Sequence, residues 1–117
     1  MSHVYKICTR NLWIQSSVKG SLLWTDHDIK DGFIHLSAKH QLLNTLKKHY
    51  AGVGDLCILT IEIRNLKIKW ETSRGGELFP HLYGGLPICC VTRVDYLTLG
   101  IGGEQNLPPD FYGLDPD

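Results

Sequence analysis

"GDLCILTIEIRNLKIKWE", residues 54–71, decides the fold class. Residues 54–66 read as a buried strand turning half-exposed, with Leu59, Ile61 and Ile63 on one face and Thr60, Glu62 and Arg64 on the other. Asn65 marks a turn, and "KIKWE" at 67–71 is a second strand on its far side. Two strands meet here without a helix between them. That order breaks a regular βαβ rhythm and calls for a mostly antiparallel or mixed sheet.

Towards the N-terminus, "AKHQLLNTLKKHY" (38–50) is the clearest helix: Leu42, Leu43, Leu46 and Tyr50 recur at helical spacing, and Lys47, Lys48 and His49 suit its C-terminal dipole. Ser37 fits its N-cap. "FIHLS" (33–37) is a short strand with Ile34 and Leu36 pointing one way and Phe33, His35 and Ser37 the other. "TDHDIKDG" (25–32) is one helical turn, capped by Thr25 or Asp26 and stopped by Gly32. "RNLWIQSSV" (10–18) is a short helix ended by Gly20, with Leu12 and Trp13 inward, and "HVYKIC" (3–8) is the first strand. Downstream, "ICCVTRVDYLTLG" (88–100) is a long β-rich run forming a central or paired strand, and the Gly-Gly and Pro-Pro tail of 100–117 is irregular. The expectation is one α+β domain over 1–117 with its core at about 3–99, one main helix and one or two short ones.

The 12 Lys and Arg residues balance 12 Asp and Glu, which argues against a partner held mainly by phosphate charge, such as a long nucleic acid. A small anionic ligand fits this balance. No run approaches the roughly 20 apolar residues of a membrane helix. Cys8, Cys57, Cys89 and Cys90 form no Cys-x-x-Cys pair and no signal-peptide pattern opens the chain, so a reduced, cytoplasmic setting with inert thiols is expected.

The chemistry-bearing stretch is "GGELFPHLYGGLP" (75–87), which reads as a loop held in shape by Pro80, Gly84 and Gly85. Phe79 and Tyr83 supply flat faces that sandwich a planar ring, with His81 between them to donate or accept a proton. An aromatic plug over the core has the same composition. His35 projects from a short strand just before a helix start, beside Ser37; it serves either a cradle for an oxyanion or ribose hydroxyl or a structural cap of that turn. Just upstream of the loop's centre stand Trp70, Glu71, Arg74 and Glu77: a carboxylate for general-base work or a hydroxyl, and a guanidinium for phosphate, unless these charges are merely solvated. His35 and His81 with Glu71 or Glu77 lack diagnostic metal spacing, and no metal is expected. His3, His27, His40 and His49 read as surface residues.

"DGFIHLS", "GDLCILTIEI" and "KWETSRGGELFPHLYGGLP" together resemble the domain of unknown function 952 family over about residues 4–99. The resemblance implies a fold similar to the ADP-ribosyltransferases, a split β-sheet structure whose cleft takes NAD in active relatives. "IHLS" is similar to the "VHLS" segment of the NAD-dependent tRNA 2′-phosphotransferases. This implies a nucleotide-like ligand such as NAD or ADP-ribose, His35 and Ser37 at the cleft, His81 and Tyr83 on its wall, and Phe33, Phe79 and Gly84 beside them. Catalysis, where present, would fall to His35, His81, Glu71 and Glu77. The family's usual Tyr-His in the first strand is Tyr5-Lys6 here, which places Lys6 where a histidine grips the cofactor ribose in the transferases. A charged lysine only donates, so a non-catalytic binding or interaction module is the alternative reading.

Overall fold

The structure, a computed structural model, describes residues 2–73 and 75–111. The chain runs β1 (His3–Thr9), α1 (Arg10–Lys19), α2 (Asp26–Asp31), β2 (Ile34–His35), α3 (Leu42–His49), β3 (Leu56–Glu62), β4 (Ile68–Thr72), β5 (Leu78–Leu82), β6 (Val91–Tyr96), β7 (Thr98–Leu99) and β8 (Gln105–Asn106). Two antiparallel three-stranded sheets, ordered β1-β3-β6 and β2-β5-β4, carry the mixed α+β architecture, and β7-β8 is a small hairpin. An isolated bridge joins the two larger sheets, with Tyr5 and Ser37 exchanging N–H···O bonds of 2.8 Å.

β3 is central and buried on both faces from Leu56 to Ile61, Thr60 included, and the run turns half-exposed from Glu62 onward, as expected. Cys57, Leu59 and Ile61 pack in one cluster with Val4, Cys8, Ile34, Leu36, Leu82 and Leu86, while Leu56 and Ile58 pack in a second with Tyr5, Ile7, Leu42, Leu46, Leu97 and Phe111. Period-two alternation therefore feeds two cores from one strand.

The two short helices begin and end on local signals. Thr9 Oγ1 accepts from the Leu12 N–H at 3.1 Å to start α1, and Thr25 and Asp28 form a capping box at the start of α2. Gly20 and Gly32 end them at φ 92° and 84°, a conformation that favours glycine.

The main helix differs from its reading. A 3₁₀ turn, Lys39–Gln41, precedes α3, and Ser37 does not cap it, because Ala38 holds the N-cap position and Ser37 lies one residue too early. Gln41 does that work instead: Oε1 accepts from the Ala38 N–H at 2.9 Å, while Nε2 donates to the Leu78 carbonyl at 2.8 Å and ties the helix to β5. Leu43, expected inward, is exposed.

Two further expectations are corrected. The loop expected over 75–87 contains β5, the middle strand of its sheet, despite Pro80. The Leu36 N–H donates to the Pro80 carbonyl at 3.2 Å, but Pro80 has no N–H to return, so the β2–β5 ladder stops at His35↔His81. Of the run 88–100, Val91–Tyr96 is the expected paired strand, β6 against β3, but Ile88–Cys90 is a 3₁₀ turn and Thr98–Leu99 is the separate β7. In the tail, Phe111 is 2% exposed and meets the Tyr5 ring edge-on at 6.0 Å; residues 112–117 of that expectation lie outside the described residues.

One charged pair lies inside this frame. Lys6 of β1 and Asp28 of α2 are 3% and 0% exposed, with Nζ 3.1 and 2.9 Å from the two carboxylate oxygens. A third donor of the ammonium meets the His35 carbonyl at 3.0 Å, so Lys6 joins β1, α2 and β2. Burial pushes the ammonium down from its usual value, opposed by Asp28. Burial also pushes the Asp28 carboxyl up, but the hydrogen bond from His35 and the Lys6 charge outweigh it and hold it well below the usual carboxylate range.

Phe111→Ala should cost about 3–5 kcal/mol of unfolding free energy, as for a buried aromatic, measured by urea denaturation; a neutral result would mean that the tail contributes no core. Lys6→Met should cost about 3–5 kcal/mol at neutral pH, because it leaves a buried carboxylate uncompensated. A carboxyl depressed in the folded state stabilises above its unfolded pKa of about 3.9 and ceases to as pH falls through the folded value. The Lys6→Met deficit should therefore shrink on acidification; an equal deficit at every pH would identify lost packing instead of lost charge.

Candidate functional site

His35 and His81, 46 positions apart in the chain, are direct cross-strand partners in β2 and β5. Paired residues of antiparallel strands share a face. Alternation adds Phe33 from the approach to β2, Phe79 and Tyr83 flanking His81, and Lys69 and Glu71 from β4 through the Lys69↔His81 and Glu71↔Phe79 pairs. The rings pack: Phe33 stacks on His81 at 3.9 Å and lies 4.5 Å from His35 and 5.1 Å from Tyr83, centroid to centroid. The two imidazole centroids are 5.8 Å apart.

Each histidine is held at Nδ1 by a carboxylate. His35 Nδ1 is 2.7 Å from Asp28 Oδ1, which also accepts the His35 backbone N–H at 3.0 Å. Asp28 Oδ2 accepts from the Thr25 N–H at 3.1 Å and from Lys6. An ionised carboxylate only accepts, so Nδ1 of His35 carries the proton. His81 Nδ1 is 2.8 Å from Glu71 Oε1, which accepts the Tyr83 hydroxyl at 2.7 Å. Those two hydrogen bonds, that of His81 foremost, hold the Glu71 carboxyl below its usual value, and accepting Tyr83 raises the phenol in return. Both imidazoles are thus oriented, as acid–base or hydroxyl-binding groups must be.

A cleft of about 760 Å³ opens beside this pair, between α2, the sheet face and α3. Of the residues singled out in the sequence, Lys6, Phe33, His35, Ser37, Glu77, Phe79 and His81 line it. Glu71 stands behind His81. Trp70 shares the Pro80 register, on the opposite sheet face from Glu71, and is partly exposed. Tyr83 and Gly84 are exposed outside the cleft lining, so Phe79 and Tyr83 do not sandwich a ring within it. Arg74 lies outside the described residues. Lys6 borders the cleft with its ammonium committed to Asp28 and the His35 carbonyl, which makes it a positioning residue. Glu77 faces His40 across 3.4 Å at the exposed rim.

Sequence reasoning missed Asp28, Asp31 and His27, all of which line the cleft. A signal for Asp28 existed in "HVYKIC": a lysine in a strand apolar on both faces needs a buried counter-charge. His27 and Asp31 carried none, because their approach to His35 depends on how α2 docks.

No helix among the described residues is long and apolar enough to cross a membrane. Among curated proteins, none matches the sequence. Among solved structures, the crystal structure of protein CC0527 from Caulobacter crescentus is 38% identical, with a TM-score of 0.83 over 90% of this chain and 94% of that one. The solution NMR structure of CC0527 gives 38% identity and a TM-score of 0.80 over 100% of both chains. The family model described as "Protein of unknown function (DUF952)" matches residues 7–94, and this chain belongs to that family.

Proposed function

We propose that the protein binds a nucleotide-like small molecule in the cleft, with His81 meeting its ribose hydroxyls or phosphate oxygens directly and His35 doing so once its Nε2 releases Asp31, 2.9 Å away. The observation that carries this reading is the pair of strand-fixed histidines, each held at Nδ1 by a carboxylate, side by side on a cleft of about 760 Å³. Such a volume suits a ligand of nucleotide size. Phe79 provides the apolar surface for a planar ring, and Ser37 a hydroxyl beside His35. The likeness of "IHLS" to the tRNA 2′-phosphotransferases supports NAD or ADP-ribose as the ligand class, and two antiparallel sheets joined by one bridge are in keeping with a split β-structure of ADP-ribosyltransferase type.

Binding without transferase chemistry is the reading that Lys6 favours. Where transferases place a ribose-gripping histidine, this chain buries an ammonium whose donors are all committed internally. Glu71 is likewise committed to His81 and Tyr83.

NMR titration of the metal-free protein with NAD, ADP-ribose and 2′-phosphorylated RNA should shift the His35 and His81 ring resonances with at least one of them, and NAD should be recovered intact. Release of nicotinamide would establish the transferase reading instead, and no ring shift with any ligand would end the nucleotide reading. His81→Phe keeps the stack on Phe33, so stability should change by less than about 1.5 kcal/mol. Loss of its ligand hydrogen bond should weaken binding about tenfold.

A further inference from the structure

His27, Asp31 and His35 form a second constellation at the α2 end of the cleft. His27 and Asp31 are four residues apart and share one face of α2. His27 Nε2 and His35 Nε2 converge on the same carboxylate oxygen, Asp31 Oδ2, at 3.3 and 2.9 Å. The three ligand atoms all lie within 4.8 Å of one another, and the His27 and His35 ring centroids are 4.1 Å apart.

We propose that His27, Asp31 and His35 hold a divalent transition-metal ion, with zinc the best fit. Ligands about 2.0–2.2 Å from zinc at tetrahedral angles stand about 3.3–3.6 Å from one another, so small side-chain adjustments admit the ion. Two imidazoles and one carboxylate suit zinc, cobalt or ferrous iron, whereas magnesium and calcium prefer all-oxygen sets. The surrounding shell is in place as well. Metal-bound histidines donate their other ring nitrogen to a carboxylate or carbonyl; His35 Nδ1 meets buried Asp28, which directs Nε2 to Asp31 and His27. Three protein ligands leave a fourth position for water or for an oxygen of whatever occupies the cleft, which these residues line. The metal shares only His35 with the nucleotide reading: its ligands are His27, Asp31 and the Nε2 edge of His35, without His81.

The competing account is a pair of plain ion pairs, with His35 doubly protonated between Asp28 and Asp31. Full-length protein stripped with chelator and titrated with Zn(II) alone, without nucleotide, separates the two. Calorimetry should show a single site, and long-range proton–nitrogen spectra should show Nε2 of both His27 and His35 shifting while His35 Nδ1 stays protonated. Co(II) should give the visible bands of a low-coordinate site, and Mg(II) should leave the spectra unchanged. His27 is 66% exposed at its side chain, so His27→Ala should keep the fold, verified by its amide spectrum. It should weaken zinc binding at least about tenfold. Zinc that shifts neither ring, or binds His27→Ala as tightly as the parent, overturns the proposal; the second result would assign the metal to other surface histidines. A zinc site without nucleotide shifts, or the reverse, would tell which of the two readings fails.

Discussion

The Asp28 carboxylate, closed off from solvent, gathers four donors from three segments: Lys6 Nζ on β1, the Thr25 N–H that caps α2, and the backbone N–H and Nδ1 of His35 on β2. Removing two charges from water costs several kcal/mol per ion, and a buried pair is often no more stabilising than an apolar pair of similar volume. Net stability is therefore a weak account of it. The pair fixes position: β2 has two residues in its ladder and the α2 helix has six, too few to orient a side chain by packing alone. Everything placed at the cleft from that side, the His35 ring and its outward Nε2 included, inherits its orientation from this carboxylate.

Local signals carried much of the fold. Thr25 as a cap, Gly20 and Gly32 as stops, and the alternation of β3 are each settled within a few residues, so the order of elements was readable. The glycine-bracketed "ELFPHL" was not readable as a strand, since Pro80 and the flanking glycines carry loop signals. What makes β5 a strand is non-local: β4 pairs along one edge, and β2 ends where the proline's missing N–H would be needed. Of the site, His35 and His81 were legible as residues built into ordered stretches, but their opposition is a matter of register between distant strands. Ser37 failed as a cap because the helical run begins one residue later, with Ala38 at the N-cap position.

The two carboxylate–histidine pairs are built to different stiffness. Asp28 is wholly buried and multiply held, whereas Glu71 is partly exposed and shared only by His81 and Tyr83. On the His81 side the stack with Phe33 supplies the order that solvent-screened charge does not. His35 is thus fixed by electrostatics to a buried carboxylate, and the more enclosed His81 by ring packing with a softer electrostatic partner.

Phe33 also decides how a ligand can approach. It covers one face of His81 at van der Waals distance and sits against His35, so no planar group enters between Phe33 and either imidazole without expelling it. The histidines therefore offer the cleft their ring edges, where hydrogen bonds form, more than their faces. Under the proposed binding, an aromatic base would find its apolar surface at Phe79, one pleat along β5, and hydroxyls and phosphate oxygens would meet the histidines. A cation bound to His27, Asp31 and His35 would strengthen the same polarity, placing positive charge where the imidazole edges already favour oxygen. Under that reading a ligand with one planar end and one oxygen-rich end would lie with the planar end on Phe79, beside the polar Thr72, Ser73 and Glu77 of the same wall, and the oxygen-rich end towards α2.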